Sequence, residues 1–254
     1  MDKEKLKQAW LKSEEKQRAF IGWDFSYLKN KYMQEETPWN YQNIVKCYLN
    51  PHMNLLDIGT GGGELLKSFG HPYHKTSVTE GWDKNYQLLL KTLKPKGIDV
   101  QFVTENDYLN FPDNHFDIIV NSHASFSVNE VARVLKKDGW FISQQVGDLN
   151  GLTLSSKLIP HFNKEPFDFH LSSVLSELKM NHFTILYANE DYPAQKFFDM
   201  DGLIYYMRTI SWEFPEFSVK NNFSELLYLY EELRNKGFIY NQQHRFIFVA
   251  QLKN

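Results

Sequence analysis

One cysteine, Cys47, is the whole thiol complement of the 254 residues, so neither an internal disulfide nor a cysteine-rich zinc site can form. Long apolar runs are missing as well. Nowhere does the chain approach the ~18 consecutive apolar residues of a membrane span, and its charged start, MDKEKLKQAWLKSEEKQR, lacks the apolar stretch of a secretory signal. The expected address is cytoplasmic, with no membrane partner. Neither sign of charge dominates: 28 Lys and Arg against 31 Asp and Glu leave a formal net charge of −3, which gives no overall field to attract nucleic acid. A small-molecule partner is the plain expectation. Repeats and low-complexity segments are absent, and what is abundant is aromatic: 20 Phe, 14 Tyr and 6 Trp. Most belong in a core, but an aromatic-walled cavity is a second use for them.

Along the chain, the first fifty residues read as helical. An amphipathic helix covers most of residues 3–20, a short one starts at Trp23, and a third follows Pro38 at about 40–49. From residue 53 short apolar strands alternate with amphipathic helices. Strands are expected at 53–58, 76–79, 100–103, 116–120 and 140–146, and the helix before the last of these places Lys136 and Lys137 at its negative end. A further helix at 169–180 and strands at 183–188 and 245–252 complete the pattern. Helix-sized connections return each strand in the same direction, which predicts an α/β fold with a doubly wound, Rossmann-like, seven-stranded and mostly parallel sheet. The predicted division is a helical cap (1–50), a core (51–191), a helical and aromatic insertion (192–237) and a last strand that completes the sheet (238–254). Ligands of such sheets bind at the carboxyl ends of the strands.

At the end of the first core strand stands Leu55-Leu56-Asp57-Ile58-Gly59-Thr60-Gly61-Gly62-Gly63-Glu64. Its glycines allow a sharp bend and a close backbone approach to a ligand, with the amides of the next helix turned toward it. Glu80 closes the following strand, where an acid can accept both hydroxyl protons of a ribose. A nucleoside cofactor follows from the pair. The nicotinamide fingerprint Gly-x-Gly-x-x-Gly fails here, because counting from Gly59 ends on Glu64 and counting from Gly61 ends on Leu66. Asp57 would also repel a pyrophosphate and attract an ammonium group.

Asp57-x-Gly59-x-Gly61-x-Gly63, Glu80, the run Phe111-Pro112-Asp113-Asn114-His115-Phe116-Asp117 and the run Glu130-Val131-Ala132-Arg133-Val134-Leu135-Lys136-Lys137-Asp138-Gly139 occur in that order. Together they resemble the class I S-adenosylmethionine-dependent methyltransferases, with a domain of the methyltransferase type 11 kind. The resemblance makes residues 51–191 the cofactor-binding core. It implies that Asp57 and the bend with Gly59, Thr60, Gly61 and Gly63 hold the methionine part of S-adenosylmethionine, that Glu80 holds its ribose, and that Gly81 and Trp82 flank the adenine. The adenine amino group is assigned to Asn106 or Asp107 within Glu105-Asn106-Asp107, and Asn121 and Ser122 are placed near the sulfur. S-adenosylhomocysteine is then the product.

Methyl transfer from a sulfonium needs alignment and exclusion of water first, and a base only if the acceptor must lose a proton. His123 follows the fourth core strand and is the candidate catalytic base, its ordinary pKa of ~6.5 suiting neutral pH. Gln144 and Gln145 are candidates for orienting an acceptor. In the insertion, Phe197, Phe198, Tyr205, Tyr206, Met207, Trp212, Phe214 and Phe217 form a prospective apolar wall of a lid or acceptor pocket. Arg208 is the prospective anion binder there, and Trp23, Trp39 and Tyr41 are prospective closures on the other side. His52, His71 and His74 lack the partners of a metal site, so no metal is expected, and the other histidines, His161 and His244 among them, read as surface or packing residues. The leading function is methylation of a small, partly apolar acceptor. An RNA methyltransferase and a non-catalytic cofactor-binding regulator are the alternatives.

Overall fold

The computed structural model describes residues 2–20, 24–104, 107–159 and 167–253. In chain order they form α1 (Lys3–Lys16), β1 (Tyr32–Gln34), α2 (Tyr41–Tyr48), β2 (Leu55–Ile58), α3 (Glu64–Phe69), β3 (Thr76–Glu80), α4 (Asp83–Thr92), β4 (Asp99–Phe102), β5 (Phe116–Ser122), α5 (Val128–Val134), β6 (Leu135–Val146), α6 (Leu152–Leu158), α7 (Leu171–Met180), β7 (Phe183–Asp191), β8 (Ala194–Phe197), α8 (Met200–Thr209), α9 (Phe223–Lys236), β9 (Ile239–Gln242) and β10 (Arg245–Leu252). They fall into two compact units. A sheet unit comprises Pro38–Gly147, Asp168–Asp191 and Arg245–Asn254, and a helical unit comprises Met1–Thr37, Asp148–Phe167 and Tyr192–His244.

The sheet unit is built on seven strands in the order β4-β3-β2-β5-β6-β10-β7. Strands β4, β3, β2, β5 and β6 pair in parallel, and β10 runs antiparallel to both its neighbours. This is the doubly wound α/β sheet expected from the connection lengths. Alternate side chains leave a strand on opposite faces, and the two faces here carry separate cores. Leu56, Ile119, Phe141 and Phe248 pack with α5 and α7 on one side. Leu55, Val78, Ile118 and Val249 pack with α2, α3 and α4 on the other. Strand order reverses between β2 and β5, whose carboxyl ends lie side by side, Ile58 opposite Asn121. Such a reversal opens a crevice for a ligand.

The family-like runs have a mechanical role in this unit. Arg133 of α5 donates to Glu130 at 2.9 and 2.7 Å, to the Phe111 and Leu109 carbonyls at 2.9 and 2.7 Å, and to Asp113 at 2.7 Å. One guanidinium thus ties the segment before β5 to the helix after it. The helix ends earlier than expected, at Val134, because Leu135 turns extended and pairs with Phe116. Lys136 consequently leaves the helix end and meets Asp117 at 2.7 Å.

The helical unit contains the elements that the sequence pattern hid. The opening fifty residues are not wholly helical, since Tyr32–Gln34 forms a strand beside β8, which also pairs with β9 in an antiparallel sheet β1-β8-β9. The segment expected to be a short helix after Trp23 is one 3-10 turn, Ser26–Leu28. Its apolar core includes Trp10, Phe197, Leu203, Tyr206, Phe214 and Leu229. Asp201 anchors its charged side, bonded to Tyr27 and Lys31 and to Lys16 at 3.0 Å.

Phe248 is fully buried, with the Phe141 ring 5.2 Å away. Phe248→Ala should cost about 3–5 kcal/mol in denaturant unfolding. A loss below about 1 kcal/mol would show that β10 does not carry the core as described.

Candidate functional site

The carboxyl ends of β2, β3 and β5 bring most of the expected residues together. Asp57 is buried near the end of β2 and accepts a 2.5 Å hydrogen bond from the Thr60 hydroxyl. Burial, opposed by that bond and reinforced by Glu80, pushes its carboxyl up to about 7. No cation pairs with it among the described residues. Glu80, also buried, accepts from the Gly61 amide at 2.9 Å, from Gly81 at 3.0 Å and from Trp82 at 2.9 Å. Burial raises its pKa, and these amides hold it down.

Close packing explains the glycines. Gly59 has φ +67°, and a Cβ there would lie 2.1 Å from the Ala124 Cβ. The β2 bend therefore touches the loop after β5, which no other residue type would allow. Gly63, at φ +80°, packs against Leu93, whose Cδ1 would lie 3.0 Å from a Cβ there. Thr79 serves the bend as well, its hydroxyl accepting from Gly59 at 3.3 Å and its carbonyl from Thr60 at 3.1 Å. The helix after the bend, α3, spans only six residues and carries Glu64 in its first turn, so its positive end contributes little toward an anion.

Around the β5 end the side chains are committed to one another. Asn121 is fully buried, donating to the Ala124 carbonyl at 3.1 Å and accepting from the Ala124 amide at 3.0 Å and from Gln145 at 2.9 Å. Its amide shapes the turn rather than facing open space. Ser122 accepts from Gln144 at 2.9 Å, and Gln144 in turn accepts from the Trp39 indole at 3.3 Å. Gln145 is buried and also bonds Ser143 at 2.7 Å. Tyr41 donates to the Asn121 carbonyl at 2.9 Å, and burial followed by the nearby Asp57 charge raises its phenol well above the ordinary value.

His123 sits just beyond β5 in the left-handed region, φ +71°, its amide bonded to the Gln144 carbonyl at 2.9 Å. The side chain keeps solvent access although dense protein surrounds it. Loss of hydration, and secondarily the Arg245 charge, pushes the imidazole down to about 3. The ring is uncharged at neutral pH, the form in which an imidazole can accept a hydrogen bond or a proton. Asp107 accepts from the Ser125 hydroxyl at 2.8 Å, tying the segment after β4 to the same loop, and burial raises its pKa. Trp82 is partly exposed, with the Lys84 ammonium 5.5 Å from its ring centre. Glu105, Asn106, Trp23 and His161 lie outside the described residues.

The insertion supplies less wall than its composition suggested. Phe197, Tyr205, Tyr206, Met207, Phe214 and Phe217 are buried in the helical unit's own core, and Phe198 and Trp212 are exposed. Arg208 is engaged as well, donating to the Phe217 carbonyl at 2.6 Å and facing Glu14 at 3.5 Å. Sequence reasoning overlooked Thr79, Ser125 and Arg245. A hydroxyl next to a strand-end acid was a usable signal for Thr79, whereas the other two are placed by long-range pairing.

Residues 56–143 match the sequence family described as a methyltransferase domain. This stretch, about a third of the chain, is similar to that family. Among curated relatives, a ubiquinone/menaquinone biosynthesis C-methyltransferase UbiE of Shewanella piezotolerans is 32% identical over 114 residues, covering 40% of this chain and 45% of that protein. The corresponding UbiE of Paraburkholderia xenovorans is 25% identical over 149 residues, covering 50% of this chain and 61% of that protein. The chain thus spans about half the length of the curated relatives it matches. Among solved structures, the YcgJ protein of Bacillus subtilis aligns with a TM-score of 0.55 at 20% identity, covering 84% of this chain and 97% of that one. The [4+2]-cyclase SpnF aligns at 0.52 and 14% identity, covering 88% and 86%. Both likenesses are of fold. The matched range holds every glycine and acid discussed above, from Asp57 to Glu80.

Gly59→Ala and Gly70→Ala separate close packing from backbone strain, since Gly70 has φ +69° but nothing within 4 Å of a Cβ. Gly70→Ala should cost about 1 kcal/mol in unfolding, Gly59→Ala roughly 1–3 kcal/mol more. Ala124→Gly should recover the excess, and equal losses in the two single variants would remove the proposed contact.

Proposed function

We propose that the chain is a methyltransferase that uses S-adenosylmethionine to methylate a small, partly apolar acceptor. The observation that carries this is Asp57, a buried acid with no cation partner among the described residues, beside a glycine bend whose amide is already bonded to the acid of the next strand. Burial of such a carboxylate is costly until a cation joins it, and the cofactor's methionine ammonium has the matching charge. The donor set bears on the rest of the molecule: a carboxylate has about four lone-pair positions, and the Gly61, Gly81 and Trp82 amides together with the Asn85 side chain already face Glu80, so ribose hydroxyls would bind there by sharing or displacing one of these donors. Gly81 and Trp82 would flank the adenine, with Asp107 or Asn106 at its amino group. Gly59, Thr60, Gly61 and Gly63 would surround the methionine part, and Asn121 and Ser122 would border the reacting end. When bound, the cofactor supplies an activated methyl group and a neutral leaving group.

The chain's own work is then to align and to keep water out. His123, uncharged, would meet the acceptor at the end of β5, accepting a hydrogen bond from it, or its proton where one must leave. A small acceptor is supported by the relatives' description as C-methyltransferases of quinone biosynthesis and by a net charge of −3, which disfavours RNA.

Two measurements test the reading. Glu80→Ala, checked for folding, should weaken S-adenosylhomocysteine binding by about 1.5–3 kcal/mol, roughly 10- to 150-fold, while His123→Ala should lower turnover of S-adenosylmethionine with a metabolite extract and leave that affinity nearly unchanged. Unaltered affinity in folded Glu80→Ala would refute the ribose role, and unaltered turnover in His123→Ala would return that ring to packing.

A third test uses pH. The folded-state pKa of Asp57 lies above the ordinary 3.8, so this acid favours the ligand-free fold at low pH, and that contribution is lost as pH rises toward 7. An ammonium favours the ionised form, so S-adenosylhomocysteine affinity should rise with pH through about 7 and then level off, with protons released on binding. Asp57→Asn should flatten that slope in calorimetry. A slope unchanged by the substitution would exclude Asp57 as the ammonium partner.

A further inference from the structure

Four carboxamides meet on one face of the small β1-β8-β9 sheet of the helical unit. Gln34 of β1 lies opposite Gln195 of β8, and Gln195 opposite Asn241 of β9. Gln243 lies just past the end of β9, two residues after Asn241, and reaches the same row through its bond to Gln34. The inner row of this face is apolar, with Phe197 and Ile239 in the core. The next row is wholly amide.

Gln195 and Asn241 are 0% exposed and Gln243 1%, whereas Gln34 is exposed on the edge strand. Two hydrogen bonds join them: Asn241 donates to Gln195 at 3.0 Å and Gln243 to Gln34 at 3.0 Å. Gln195 Nε2, Asn241 Oδ1 and Gln243 Oε1 are buried with no hydrogen-bond partner among the described residues. Turning the Gln195 and Asn241 amides over together exchanges their roles and still leaves one donor and one acceptor wanting. Each such atom has lost its water without gaining a partner, which is unfavourable. The buried amide of Asn121 in the sheet unit behaves differently and uses both its ends.

We propose that this row is a binding site for a neutral ligand bearing an amide or ureide group, one that offers a donor and an acceptor on the same edge. No charged side chain belongs to the row, so a charged ligand would have no counterion there. Gln34 shows the chemistry that fits, because its own amide, on an accessible edge strand, already bonds the end of the row. A ligand amide enters by replacing it. The proposal stands apart from the cofactor reading and does not depend on it.

Uracil is a suitable probe, carrying adjacent ring N–H and carbonyl groups, and 1,3-dimethyluracil keeps the carbonyls while losing both donors. Calorimetry on the full chain should show saturable uracil binding, no binding of the dimethyl compound, and an affinity about 3- to 10-fold higher in Gln34→Ala, from which the competing amide has gone. Asn241→Leu should weaken uracil at least about tenfold. If that variant does not fold, Gln34→Ala and the dimethyl control decide alone. Absence of saturable uracil binding in both the parent and Gln34→Ala, or equal binding of the two compounds, would overturn the proposal and leave the row to ordered water.

Discussion

Burying a carboxylate away from any cation costs free energy unless it takes up a proton or acquires a positive partner. Asp57 sits in that position, and much of the surrounding arrangement bears on its cost. The Thr60 hydroxyl partly offsets it and Glu80 increases it. Tyr41, buried nearby, is kept protonated partly by the same charge. The bend that follows Asp57 can be made only with Gly59, since Ala124 occupies the neighbouring volume. The acid, the bend and the β5 loop therefore form one packed assembly, and a ligand ammonium would relieve the element in it that is electrostatically unfavourable.

The sheet was legible because its signals are local. Short apolar strands, glycine stops and helix-sized connections appear in order from residue 53 onward, and each depends on residues close in sequence. The Asp57 bend and Glu80 were legible for the same reason: both stand at strand ends marked by their own neighbours. The helical unit was not. Tyr32–Gln34 becomes a strand only because Ala194–Phe197 lies beside it, and nothing in three residues announces a partner so distant. The aromatic content of 192–237 carried no information on whether its rings faced inward or outward, and packing turned five of the seven named rings, with Met207, into core. His123 was correctly located by its position after a strand, but its pKa depends on how many protein atoms crowd it, which spacing does not encode.

Architecture and chemistry separate here in the usual way. The fold aligns with a protein described as a [4+2]-cyclase, so the sheet alone does not argue for group transfer. The argument rests on side chains at three strand ends, and the ordered runs around Arg133 contribute differently. They hold the segment before β5 against α5 and so govern where β5 begins, which in turn positions Asn121 and His123 at its far end.

The sheet unit is assembled from three separated stretches of chain, and its penultimate slot, between β6 and β7, is filled by β10. Translation proceeds from the amino terminus, so every residue of the helical unit has been synthesised before Arg245–Leu252 leaves the ribosome. Until then two long strands have no partner in that gap. Their unsatisfied amides and carbonyls form the kind of open edge that invites pairing between chains. The interval between those events is the stage of biogenesis at which a nascent copy is most exposed to aggregation.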